Sequence, residues 1–226
     1  MKHILDVWRA DGVPKNVPLM VTESSLAAGL NGHMSTIFGA LWLADSVGAF
    51  FEGGGAVYYH SPIQPQGIQN SCQGWASWSN FESDRDYNIT GYTWYYFAAH
   101  MINLEWVQHR SGVHQMFPSK TDSEDVTSYA VHRPDGNWSL MLVNRDESNA
   151  HTVRVVFDEA KGKGARSFSG PVAFTTFGSE QYVWKDDGPN SHADPDGPPA
   201  SRTILAGSQT TFTLPKASIT VLRGRL

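Results

Sequence analysis

The sequence has a single cysteine, Cys72, so no intrachain disulfide can form and no thiolate zinc site can be assembled. It has no basic cluster: 17 Lys and Arg face 22 Asp and Glu, leaving a net charge of −5. Binding a phosphate backbone needs a concentrated basic footprint, which argues against a nucleic-acid partner. No apolar run approaches the ~20 residues of a membrane-spanning helix, so no membrane partner is expected. The start, Met1-Lys2-His3-Ile4-Leu5-Asp6, lacks the apolar core and small-residue cleavage site of a signal peptide. The compartment stays open, because a mature secreted or periplasmic bacterial enzyme has the same appearance. Gly-x-Ser-x-Gly is missing, which removes one serine-nucleophile arrangement. The run Gly53-Gly54-Gly55 precedes a strand instead of opening a helix, so it is no phosphate cradle. His109 and His114 lack the i, i+4 spacing of a helical zinc pair. Asp194-Pro195-Asp196-Gly197 lacks the further ligands and closing Glu of a calcium loop. No cofactor or metal is expected.

What is present is a chain of 226 residues, 40% hydrophobic and 17% charged, within the range of a folded protein with a substantial core. Aromatics are abundant, with eight Trp. Their flat faces stack well on sugar rings, although most are expected to be ordinary core residues.

Two textures follow one another. Up to Arg110 short apolar strands alternate with helical stretches. Residues 3–10 place Ile4, Val7 and Trp8 on one helical face, and Val17–Thr22 is a short β-prone run. From Ser35, Ile37, Leu41, Ala44 and Val47 recur at helical spacing, and Ala56–His60 forms a second strand. A polar loop of about thirty residues follows, then a helix over Thr90–His109. This order suggests βα units with a parallel sheet. From Gly112 the helical period disappears. Val126–His132 and Trp138–Val143 alternate around the turn Pro134-Asp135-Gly136. His151–Phe157, Pro171–Phe177, Gln181–Trp184, Gln209–Leu214 and Ser218–Arg223 add strands, and Asp186–Ala200, rich in Asp, Gly and Pro, reads as a loop. The expected fold class is α/β plus all-β, with βα units over residues 1–111 and an antiparallel β-sandwich over 112–226.

Glu23 closes the first buried strand, where barrel enzymes carry their catalytic groups. A Glu in that position is often only a helix cap or a surface charge. The second strand delivers Tyr58, Tyr59 and His60 to the same end. Tyr58 and Tyr59 must point to opposite sides of the sheet, so at most one lines a site, and parity with His60 favours Tyr58.

The stretch Pro18-Leu19-Met20-Val21-Thr22-Glu23 resembles the nucleophile strand of the large clan of (β/α)8-barrel retaining glycoside hydrolases. The run Thr211–Leu222 resembles the final strands of the β-sandwich appended to arabinofuranosidases, xylosidases and cellulases of that clan. The resemblance implies that the chain is the C-terminal part of a (β/α)8 TIM barrel followed by its sandwich. It implies Glu23 as catalytic nucleophile in retaining hydrolysis of a plant-type polysaccharide or oligosaccharide, such as β-glucan or xylan. The clan's acid/base belongs to an Asn-Glu pair ending the fourth strand, and this chain has no Asn-Glu dipeptide. The missing N-terminal barrel portion is therefore an expected partner, and the chain alone is expected to be inactive. Substrate contacts fall to His60 and Tyr58, and to Trp75 and Trp78 in the long loop. The two Trp residues are either sugar-stacking platforms or fold the loop onto the barrel, and His60 is either a ligand contact or a structural histidine. The alternative function is a non-catalytic carbohydrate-binding or structural β-sandwich module, with Glu23 incidental.

Overall fold

The computed structural model describes residues 2–14, 16–24, 35–60, 66–67, 79–84, 86–109, 112–158, 164–187 and 190–226. In chain order the first elements are α1 (Lys2–Ala10), β1 (Met20–Val21), α2 (Ile37–Glu52), β2 (Val57–Tyr58), β3 (Gln66–Gly67), β4 (Phe81–Ser83), β5 (Ile89–Tyr92) and α3 (Trp94–His100). A π-helical segment, Met101–Trp106, continues α3. There follow β6 (Gln115–Phe117), β7 (Val126–His132), β8 (Trp138–Asn144), β9 (His151–Arg154), β10 (Phe157–Asp158), β11 (Ala165–Arg166) and β12 (Ser169–Gly178). The chain closes with β13 (Tyr182–Lys185), β14 (His192–Asp196), β15 (Ala200–Ala206), β16 (Thr211–Leu214) and β17 (Ser218–Arg225). No helix among the described residues is long and apolar enough to cross a membrane.

β1 and β2 pair in parallel, Met20 with Val57 and Val21 with Tyr58, as two strands joined by a helix should. The described residues contain this parallel pair with its helices and no closed barrel. α2 begins where Thr36 accepts from Phe38 N at 3.4 Å and ends where Gly53 N donates to Ala49 O at 3.0 Å. The expected thirty-residue loop contains β3, β4 and β5, which form a three-stranded sheet. Pairing of β5 with β4 also takes residues 89–92 away from the helix expected to start at Thr90. The helix begins instead after Thr93, whose hydroxyl accepts from Tyr95 N at 3.1 Å and satisfies one orphan donor of the first turn.

The second half forms a six-stranded antiparallel sheet in the order β15-β12-β17-β8-β7-β6. Its central strands β8 and β17 are not half-exposed, as simple alternation would make them. In β8, Met141 and Val143 join the core formed with α2, α3 and the π-helical segment, whereas Leu140 and Leu142 join a second core with Phe212 and Leu214 of β16. A strand buried on both faces reads as a continuous apolar run, which accounts for Leu140-Met141-Leu142-Val143. The segment Asp186–Ala200 is also not a loop. His192–Asp196 pairs with β13, with Trp184 opposite Ala193, and both of these side chains pack against the helical core. Ser191 Oγ holds the connection by accepting from Asp187 N at 2.9 Å. Asp194, Pro195 and Asp196 lie within β14 itself, so a paired strand carries a composition that reads locally as a loop.

Polar contacts fix how the helices lie on the sheet. The Tyr129 hydroxyl donates to Asp45 Oδ1 at 2.7 Å, and Thr127 donates to the same oxygen. Burial, reinforced by Asp45, holds the Tyr129 hydroxyl well above its ordinary pKa. Trp106 Nε1 donates to Tyr129 O at 3.0 Å, and Arg133 Nη1 donates to Glu105 O at 2.8 Å. Glu105 Oε2 accepts from Arg223 Nη1 at 3.2 Å, so the π-helical segment is tied to two strands. Gly48 permits a close helix–sheet approach. A methyl group there would stand 2.3 Å from Tyr129 Cδ2. Gly48→Ala should gain about 1 kcal/mol of helix propensity. It should lose more to overpacking, which costs about 1–3 kcal/mol in a rigid core, because the Asp45 contact keeps the Tyr129 ring from moving aside. Thermal unfolding is expected to show a net drop in Tm; a rise would show that the ring yields.

Candidate active site at the ends of the parallel strands

The parallel pairing sets which residues share the carboxyl end of β1 and β2. Tyr59 N donates to Val21 O at 2.9 Å. Counting on from the pair Val21–Tyr58, Glu23 and His60 occupy equivalent positions two residues beyond it. Glu23 is exposed and Ser24 half-buried. The carboxylate therefore meets solvent at the end of a strand, while the residue after it turns into the protein.

Tyr58 lies on the helix side of the strands. Its ring meets Phe50 edge-on at 5.4 Å, and its hydroxyl interacts with the side chains of Ser24 and Ser46. Burial raises its pKa, and those two hydroxyls oppose the rise. Tyr59 points the other way and is 56% exposed. His60 packs against Tyr95 of α3, with ring centroids 4.5 Å apart and the planes at 68°. The Tyr95 hydroxyl in turn donates to Ser24 O at 3.5 Å. Tyr95 therefore bridges the two strand ends, touching His60 after β2 and the residue beside Glu23 after β1. Nothing in the local pattern singles out Tyr95 except its place in the first turn of a helix capped by Thr93, which aims it back toward the strands.

His60 Nδ1 is buried and has no hydrogen-bond partner among the described residues. Burial, which disfavours the charged form, lowers the pKa to about 4. The ring is thus a neutral imidazole near pH 7, able to donate from one nitrogen and accept at the other. A ligand hydroxyl is a suitable partner for such a group. The structure brings Glu23, Tyr58 and His60 to one end of the parallel pair; Trp75 and Trp78 lie outside the described residues.

No family model and no curated relative matches the sequence. Solved structures do match in shape. A GH30 endoxylanase from Clostridium papyrosolvens aligns over 98% of this chain and 45% of its own, with 16% identity and a TM-score of 0.55. A GH51 alpha-L-arabinofuranosidase from Thermotoga petrophila aligns over 98% and 46%, with 11% identity and a TM-score of 0.62. A GH44 endoglucanase from Clostridium thermocellum aligns over 100% and 35%, with 15% identity and a TM-score of 0.57. The chain spans less than half the length of these structures. It has the fold of a glycoside hydrolase portion, consistent with the C-terminal part of the GH30, GH51 and GH44 enzymes.

The lowered pKa of His60 has a measurable consequence. Between the unfolded value near 6.5 and the folded value of about 4, the unfolded chain binds more protons, so stability must fall as pH falls through that window. Proton NMR is expected to show the His60 ring untitrated until about pH 4. The acid-side decline in Tm should be shallower in His60→Gln. A midpoint near 6.5 would mean the ring is solvated.

Proposed function

We propose that this chain is the nucleophile-bearing part of a retaining glycoside hydrolase acting on a β-glucan, xylan or arabinose-containing polymer, with Glu23 attacking the anomeric carbon. The observation that carries the reading is the position of Glu23. It is an exposed carboxylate at the carboxyl end of a strand paired in parallel with a second one, in a chain with glycoside-hydrolase fold. In a barrel this end of the strands is where catalytic groups gather.

Retention needs a second carboxyl group about 5–5.5 Å away to protonate the leaving oxygen and later activate water. That group would come from the barrel strands that precede this chain in the longer enzyme. The exposed surface of the described residues supports such an assembly. Met20 and Tyr59 on the parallel strands, and Ile4, Val7 and Trp8 along one face of α1, all lie open. Exposed apolar side chains on these elements suit surfaces that another part of a protein covers. His60, neutral and with Nδ1 unpaired, would hydrogen-bond a sugar hydroxyl, and Tyr95 would hold its ring in place.

The deciding experiment is intact-mass labelling with mechanism-based 2-fluoro-glycosides of the gluco, xylo and arabino series. Labelling at Glu23 is expected in the full-length enzyme and not in this chain alone; absence of label with every reagent would remove Glu23 from the chemistry. In the full-length enzyme, Glu23→Gln should cut turnover by roughly 10³-fold or more with the fold intact. Trp75→Ala should raise KM on polymers more than on small aryl glycosides, as loss of a remote stacking contact does. Equal effects on both substrates would give Trp75 a folding role.

A further inference from the structure

Two asparagines head the glycan-acceptor signature Asn-x-Ser/Thr, in Asn88-Ile89-Thr90 and Asn137-Trp138-Ser139. Each follows an acid by two residues, Asp86 in the first copy and Asp135 in the second. Sequence does not distinguish the two copies, but their settings in the fold do. Asn137-Trp138-Ser139 runs into β8, where Trp138 stands opposite His132 of β7 and Gly224 of β17. Ser139 is 1% exposed, and its hydroxyl donates to Glu105 O at 3.5 Å. The Trp138 ring packs against those of Phe117, His132 and Phe157. A transferase that must grip the chain at its hydroxyl residue finds that residue enclosed.

The first copy is open. Asn88, Ile89 and Thr90 are all exposed, at the tip and on the outer strand of the β4–β5 hairpin. Among the described residues β5 is an edge strand. Its register slips, so that Glu82 faces Gly91 while Ser83 faces Ile89. Thr90 is thus the extra residue of a bulge, with no partner across the ladder. Asp84 shapes the turn. Its Oδ1 accepts from Asp86 N and from Asn88 N, each at 2.9 Å, and its Oδ2 accepts from Asn88 Nδ2 at 2.8 Å. A carboxamide nitrogen carries two hydrogens, so one keeps this bond and the other is available for replacement. Beside it, Tyr87 is 67% exposed at a φ of 64°, a left-handed conformation that costs a bulky residue about 1–2 kcal/mol. Its ring offers a sugar an aromatic face next to the acceptor nitrogen.

We infer that Asn88 is an N-glycosylation site. The donor is an oligosaccharide carried on a lipid pyrophosphate, and the catalyst is a membrane oligosaccharyltransferase. Asn88 Nδ2 forms a bond to the anomeric carbon of the donor, and the bond from that carbon to the pyrophosphate oxygen breaks. The pyrophosphate leaves with the electron pair, and Nδ2 gives up one proton to a base of the transferase. The remaining Nδ2 hydrogen keeps the bond to Asp84, so the turn survives the modification. Asn137 stays bare. The inference rests on the proposed function in one respect. A polysaccharide is too polar to cross a bilayer, so an enzyme acting on one works outside the cytoplasm, where lipid-linked sugars are transferred.

Glycopeptide mass spectrometry of the full-length protein from its own source tests this. The peptide holding Asn88 should carry an oligosaccharide mass, and the peptide holding Asn137 should carry none. In the same host, Asn88→Gln and Thr90→Ala should each abolish the added mass, and Thr90→Ser should retain it. A bare Asn88 overturns the inference. A glycan on Asn137 overturns it as well, because the fold would then not choose between the two copies. So does a mass that survives Thr90→Ala, which would be linked through another residue. Labelling of Glu23 separates the two ideas. A labelled Glu23 with a bare Asn88 removes the glycan site alone, and an unlabelled Glu23 with a glycosylated Asn88 removes the hydrolase reading alone.

Discussion

Burial of the central strands β8 and β17 on both faces governs the rest of the structure. Met141, Val143, Ile219 and Val221 face the helices, and Leu140, Leu142 and Leu222 face β16 and its neighbours. Removing both faces of a central strand from water yields roughly twice the apolar burial of a half-exposed one. It also leaves the helices no freedom of position. α2 must lie where Gly48 admits Tyr129 and where Asp45 meets the Tyr129 hydroxyl, because a buried phenol without an acceptor would cost more than the contact returns. Residues of α2, α3 and the π-helical segment share a hydrophobic core with residues of β7, β8, β12 and β17.

The candidate site inherits its geometry from that arrangement. α2 returns the chain so that β2 runs parallel to β1, which aligns the carboxyl ends of the two strands. α3, seated on the sheet through Trp106 and the contacts of Glu105, then presents Tyr95 to both ends at once. His60 is neutral for a packing reason: burial, with Tyr95 against its ring, disfavours the charged form. The same apolar surroundings make a hydrogen bond from His60 to a ligand worth more than it would be in water.

Much of this was readable in local patterns. The apolar spacing from Ile37 to Val47 specifies a buried helix, Thr36 and Gly53 bracket it, and Pro134-Asp135-Gly136 specifies the turn between β7 and β8. Other features were hidden because long-range pairing overrode local composition. Residues 89–92 have a helix-compatible pattern until β4 claims them as a strand, and 192–196 carry loop composition until β13 pairs with them. Of Tyr58 and Tyr59, the first is half-buried and the second exposed. Which of the two faces the helices depended on Phe50, which no spacing rule connects to the strand.

Sequence alone determined the inventory: a lone cysteine, an acidic balance, helices and strands of recognisable period, and one Glu closing an apolar run. These are set by covalent chemistry and by neighbours within a few residues, for which periodicity is a sufficient guide. Only the tertiary structure decided that His60 packs against Tyr95 and that β8 and β17 are buried on both faces. Burial, pairing and pKa depend on residues brought together from distant parts of the chain, and no local pattern encodes which groups will meet.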